Sequence, residues 1–240
     1  ITGFTLINGE GFSNAGGIYC LYSSPTLENL VIKNNSGFAG GIRFDYSSSL
    51  TEKLIIKNNF SNNAGGGIYC RGSEIIFNDL ILKNNTATNG GRGGGMYLFL
   101  NNNIYFYGGT IENNTADLHG GGIYIYGNNS AHFKNTVIKN NISNNGSGGG
   151  IWINNGSGNV ILENIILANN ISELSGGAIY CQGQGNMDIV NSTISGNSTN
   201  NGNGGGVYYY SVPFNSNIIN SIISNNTNYG IWSNNADIVL

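Results

Sequence analysis

The stretch Gly65-Gly66-Gly67-Ile68-Tyr69-Cys70, followed ten residues later by Leu80-Ile81-Leu82-Lys83-Asn84-Asn85, is rewritten along the whole chain. Its first half is a glycine pair or triple, then an aliphatic residue, then usually an aromatic. The aliphatic position is held by Ile18, Ile42, Ile68, Met96, Ile123, Ile151, Ile179, Val207 and Ile231, at intervals of 24, 26, 28, 27, 28, 28, 28 and 24 residues. The second half is an aliphatic run ending in paired asparagines, as at Leu30–Asn35 and Leu54–Asn59. A repeat of this length marks a solenoid, in which no unit can bury its apolar face alone.

Leucine-rich repeats have a similar period but require a Leu-x-x-Leu-x-Leu frame, which is absent. Within each run the apolar residues alternate with period two, so the segments are strands rather than helices. The expected fold is an all-β, right-handed parallel β-helix of about nine coils of 24–29 residues, with three short strands per coil in three stacked sheets. The whole chain, 1–240, forms one domain. The first residues match the middle of a coil, and Asp237–Leu240 match the start of another. Neither end carries a polar cap, so this reading expects a piece of a longer protein.

Parity assigns the faces. Ile68 and Cys70 point inward, with Cys20, Phe44, Leu98, Ile125, Ile153, Cys181 and Tyr209 equivalent to Cys70. Leu80 and Leu82 point inward, with Leu6, Ile32, Ile56, Ile111, Ile138, Leu167, Ile194 and Ile223 equivalent to Leu82. A third inward column runs Leu27, Phe77, Phe106, Phe133, Leu162, Ile189 and Ile218, with Asn29, Asp79 or Asn135 bending the chain after it. Continuing the alternation two residues past Leu82 makes Asn84 inward, with Asn8, Asn34, Asn58, Asn113, Asn140, Asn169 and Asn225, and Gly196 as the exception. A buried asparagine needs partners, and a column of them supplies an amide ladder. On that assignment the sequons at Asn84 and Asn113 are too buried to carry glycans; others stand at Asn141 and Asn197.

Composition narrows function without naming it. Only 9% of the 240 residues are charged and the net charge is −3, so no basic patch suggests nucleic acid. No apolar run approaches a membrane span. Cys20 and Cys70 fall two coils apart, farther than a disulfide reaches, and Cys181 lies farther still; all three are expected to be free, buried thiols.

The most unusual feature is an outward column of Tyr19, Arg43, Tyr69, Tyr97, Tyr124, Trp152, Tyr180, Tyr208 and Trp232, flanked by Phe99, Tyr126 and Tyr210. Stacked rings favour strands in their own right. A contiguous exposed aromatic strip would also suit sugar rings or a second subunit. Two charged groups could do chemistry: Arg43, Asp45 and Arg71 on the strip, and Arg92, Asp117 and His119 in the loops before the glycines. Each also reads as simple structure, a ladder ion pair and loop decoration respectively. No pair of carboxylates at glycosidase separation is evident, and no metal or cofactor is expected.

Gly176-Gly177-Ala178-Ile179 and Phe60-Ser61-Asn62-Asn63 resemble the GGAI and FxxN repeats of chlamydial polymorphic outer-membrane proteins. The wider pattern is similar to adhesin-like β-helix surface proteins and to the pectin-lyase-like β-helices. The resemblance implies a non-catalytic extracellular or cell-surface domain, with glycans or another protein subunit as partners. The alternatives are a polysaccharide-binding or polysaccharide-degrading β-helix, and a self-assembling extracellular filament.

Overall fold

A computed structural model describes residues 1–210, 216–234 and 238–239; Asp237 and Leu240 lie outside them. Every strand pairing among these residues is parallel, in three sheets of sixteen, eight and nine strands and with no helix. The glycine-led strands form the nine-stranded sheet, one per coil, running from Ile18–Leu21 to Ile231–Asn234. Ile68 pairs with Ile42 on one side and Met96 on the other, and every equivalent position keeps that register. At about 4.8 Å per strand, nine coils make a rod about 40 Å long.

The assigned faces hold. Ile68, Cys70, Leu80 and Leu82 are fully buried in one continuous core, together with Phe44, Phe77, Phe106 and Phe133. Those phenylalanines are threaded by edge and tilted ring contacts 5.6–6.3 Å apart. Phe44 sits in register between Cys20 and Cys70, and all three cysteines are free and buried.

The coil distributes its strands among the sheets differently from expectation. The third-column strand and the Leu82 strand share the sixteen-stranded sheet, fused in places into single strands such as Glu74–Lys83. The eight-stranded sheet is built from short strands after the asparagine pair, such as Thr86–Ala87. Their inward residues are small: Ala39, Ser61, Ala87, Ala116, Ser143, Ser172 and Thr199. Two-residue strands without a large apolar side chain leave no alternation to read.

The asparagine assignment is corrected by one residue. Asn8, Asn34, Asn58, Asn84, Asn113, Asn140, Asn169 and Asn225 are exposed, each with φ between 54° and 59°. The strand stops at Lys83, and Asn84 turns the chain in the left-handed region that asparagine tolerates. The following residue therefore faces inward. Asn35, Asn59, Asn85, Asn114, Asn141, Asn170 and Asn197 are buried, and each offers its backbone N–H and side-chain N–H to the side-chain oxygen of the next coil's asparagine. Gly196 ceases to be an exception: at φ +70° a glycine suits the turn. The sequon reading inverts with it, because Asn84 and Asn113 are exposed while Asn141 and Asn197 are ladder members.

A second ladder, unseen in the sequence, runs Ser47, Ser73, Asn102, Asn129 and Asn155, each backbone N–H donating to the next side-chain oxygen.

Candidate functional site

Tyr69, Tyr97, Tyr124, Trp152, Tyr180, Tyr208 and Trp232 occupy one register column on the outer side of the nine-stranded sheet. Strand spacing brings successive rings to 4.4–5.9 Å between centroids. From Tyr124 onward they lie nearly parallel, within 12° of one another. Phe99 and Tyr126 stack alongside at 5.9 Å.

The strip is not the open platform expected. Tyr69, Tyr124 and Trp152 are each only 5% exposed, and Tyr208 9%. Neighbouring side chains in the column pack against each ring, edge-on at Tyr69 and Tyr97 and face to face from Tyr124 onward, and the loop before the glycines folds over the column. Phe38 meets Tyr69 edge-on at 5.2 Å, His119 stacks on Trp152 at 5.2 Å, and the Arg92 guanidinium lies 5.7 Å over Tyr124. Tyr69 belongs to a small cluster with Ala39 and Ala64, separate from the main core. Burial pushes the phenols of Tyr97 and Tyr180 up to about 12 and those of Tyr69 and Tyr124 higher still. Tyr97, Phe99, Tyr180 and Trp232 are partly exposed, and Tyr126 and Tyr210 are the open edge.

The glycines make this covering possible. A Cβ on Gly148 (φ +70°) would sit 2.7 Å from the Trp152 Cβ and 2.6 Å from the Ile151 carbonyl oxygen. Only a residue without a side chain lets the chain turn that closely against the aromatic it precedes.

The charged groups make contacts within the fold, although Asp45 Oδ1 and Arg92 Nε are buried without a hydrogen-bond partner. The buried Asp45 Oδ2 accepts from Arg43 Nε (2.8 Å), Arg43 Nη2 (2.7 Å) and the Tyr19 hydroxyl (3.0 Å). The Arg43 guanidinium in turn lies among the rings of Tyr19, Phe38 and Tyr69. Arg71 is the register neighbour of Asp45, yet the ion pair is made along the strand by Arg43, and Arg71 covers the Tyr46 ring at 5.3 Å. Arg92 and His119 do converge, on Tyr124. Asp117 turns away: its oxygens accept from Gly90 N–H (2.6 Å) and Asn145 Nδ2 (2.7 Å). Burial, then the Arg92 charge, hold the His119 imidazole down to about 4, and its Nδ1 accepts from Ser147 N–H. Arg, His and Asp thus form no proton-transfer triad.

A polar cluster unseen in the sequence lies on the outer side of the sixteen-stranded sheet. Tyr107 and Lys134 are register neighbours, as are Lys134 and Glu163. Glu163 holds Lys134 at 2.7 Å and His132 Nε2 at 3.0 Å, and Tyr105 and Tyr107 stand beside them. The hydrogen bond from Lys134 is the main cause that keeps the Glu163 carboxyl below its usual range. A shallow depression of about 230 Å³ opens there, between Tyr105, His132, Ser130 and Ile161. Period-two parity within Asn103–Glu112 and Ser130–Lys134 carries these residues, but their alignment needs coil lengths that the motif alone does not fix.

Among the described residues, no three His, Cys, Asp or Glu side chains gather to hold a metal, and no helix is long and apolar enough to cross a membrane. Residues 16–200 and 110–239 match the family model described as right-handed β-helix region. The chain belongs to the right-handed β-helix family. No curated protein and no solved structure matches it. Within that family the fold serves enzymes and non-enzymes alike, so function must be argued from the sites.

Proposed function

We propose that this right-handed β-helix is a non-catalytic structural rod of an extracellular or cell-surface protein, adhesin-like in its role. Its aromatic strip serves first as an outer spine and second, along its accessible edge, as a surface for glycans or another subunit. The observation that carries this reading is the engagement of the candidate groups. Arg43 and Asp45 are spent on each other, and His119 and Arg92 lie over the rings they would have to serve. The rings open to solvent are Tyr126 and Tyr210, on the flank of the strip, and Tyr19 at its first coil. Exposed aromatics are the side chains that most often anchor binding.

The test is binding of the purified rod to a glycan array, and its self-association by sedimentation. Tyr126→Ser with Tyr210→Ser should weaken one or the other while leaving the unfolding midpoint in place. Parent-like behaviour in both would defeat the strip as a binding surface.

A second reading, a polysaccharide-binding or polysaccharide-degrading β-helix, draws support from the depression lined by Tyr105 and His132, the latter hydrogen-bonded to Glu163. Release of reducing or unsaturated ends from a polysaccharide, abolished by His132→Ala, would establish it in place of the first.

A further inference from the structure

The outer side of the sixteen-stranded sheet also carries a column of three lysines that form no ion pair among the described residues. Lys33, Lys57 and Lys83 stand directly opposite one another on three successive coils. They are three of the nine Lys and Arg residues in a chain of net charge −3. Like charges directly opposed on neighbouring strands are destabilising. The one acid in the column, Glu112, stands between Lys83 and Lys139 and forms its ion pair with Lys139, at 3.3 Å, leaving Lys33 and Lys57 with lysines as their only charged register neighbours. Among the described residues the five ion pairs are Arg43–Asp45, Lys53–Glu52, His132–Glu163, Lys134–Glu163 and Lys139–Glu112. None of them includes Lys33, Lys57 or Lys83.

The surroundings of the row suit a ligand lying along it. Two residues before each lysine is an outward β-branched side chain, Val31, Ile55 and Ile81, in the same register. One residue after it is the exposed turn asparagine, Asn34, Asn58 or Asn84. The result is a track of three parallel rows: an apolar rail, a row of ammonium groups repeating at the strand spacing of about 4.8 Å, and a row of free amides.

We infer that this track binds a linear polyanion, a sulfate- or phosphate-bearing polymer laid parallel to the rod axis, with one anionic group per coil. Lysine suits this use, since its ammonium is a point charge on a flexible stem that tolerates small mismatches of spacing. A single file of charges fits an extended chain better than a wide duplex. This inference does not depend on the aromatic strip, which lies on a different sheet.

The experiment uses the 240-residue chain with dextran sulfate, uncharged dextran of the same length, linear polyphosphate and duplex DNA, titrated over a range of salt. Dextran sulfate and polyphosphate should bind and dextran should not, with log affinity falling linearly in log salt. Lys57→Gln should weaken binding about fivefold, the worth of one lysine at an anionic surface, and make the salt slope shallower. E112K, which removes the acid separating the row from Lys139, should tighten binding. Without ligand at low salt, Lys57→Gln should unfold no earlier than the parent, because it relieves repulsion. If dextran sulfate binds and polyphosphate does not, the ligand is a sulfated polymer; the converse assigns a phosphate polymer. Failure of both to bind the parent, parent-like binding by K33Q/K57Q/K83Q, or tighter binding of duplex DNA would each overturn the inference.

Discussion

Replacing Asn114 by leucine tests the ladder on which the stacking of coils depends. The Asn114 side chain makes four hydrogen bonds: Oδ1 accepts the Asn85 backbone N–H and Asn85 Nδ2, both at 3.0 Å, and Nδ2 donates to Leu82 O at 2.9 Å and Asn141 Oδ1 at 3.0 Å. Leucine is close in volume, so no large cavity forms, yet all four bonds are lost. Asn85 Nδ2 keeps the Ile56 carbonyl, and Asn141 Oδ1 keeps the backbone N–H of residue 114. The buried Asn85 N–H is left without its partner. An orphaned buried donor costs about 1–3 kcal/mol and each of the three further bonds a net of about 1 kcal/mol, so the substitution should cost about 4–6 kcal/mol. The adjacent Asn113 supplies the control. It is exposed at φ +55°, so Asn113→Gly should be nearly neutral and Asn113→Ala should cost about 1 kcal/mol for a left-handed residue bearing a Cβ. Denaturant unfolding followed through Trp152 and Trp232 fluorescence measures all three variants. Equal stability of the Asn114→Leu and Asn113→Gly proteins would refute the ladder as a source of stability.

Thiol titration in denaturant without reductant should find all three cysteines; in the folded protein they should resist alkylation, because burial pushes the Cys20 and Cys181 thiols up to about 11 and about 12. His119 is held neutral, so the unfolded chain takes up its proton near pH 6.5 and the folded one only near 4. Stability should therefore be complete above about pH 6.5 and fall as pH drops towards 4, and His119→Phe should flatten that slope in a pH series of unfolding midpoints. Tyr124→Ser with Trp152→Ser should destabilise the rod by about 3 kcal/mol or more, since two nearly buried stacked rings are lost; a midpoint matching that of Tyr126→Ser would show the strip contributes nothing to stability.

The fold was legible because the motif repeats an apolar pattern that only stacking can bury. The same reasoning misplaced the ladder, and the cause is local. Alternation is a property of extended backbone, and it stops where the backbone stops being extended. Carrying parity from Leu82 through Lys83 to Asn84 crosses a residue at φ +54°. The paired asparagines held the clue: one tolerates the turn, and the other fills the buried site. Gly196 held a stronger one, since glycine is poor as a buried hydrogen-bonding rung and well suited to a left-handed turn. The depression at Tyr105 and His132 was illegible for another reason. It joins residues from three coils whose lengths differ by one or two, and only the register of the folded chain aligns them.

The aromatic strip shows how parity can be right and exposure wrong. Tyr69, Tyr124 and Trp152 do point away from the main core, as the period of two requires. But an outward side chain is exposed only if nothing lies over it, and here the chain itself does. The glycine triple and the aromatic that follows are parts of one device. The first glycine turns the chain at positive φ, the second passes too close to the neighbouring coil for a Cβ, the third is equally close in most coils and is alanine in one (Ala178), and the loop before them comes down on the column. Gly94 illustrates the closeness: a Cβ there would lie 2.5 Å from the Thr115 carbonyl carbon. The rod therefore has two apolar spines, the aliphatic one inside and the aromatic one outside, on opposite faces of a single sheet. Substituting Gly148 by alanine should disturb both at once, lifting the loop that carries Ser147 away from His119 Nδ1 and uncovering Trp152. Red-shifted, more readily quenched Trp152 fluorescence in the Trp232→Phe background, with an earlier unfolding midpoint, is the expected result; an unchanged spectrum and midpoint would mean that the glycines and the strip are independent.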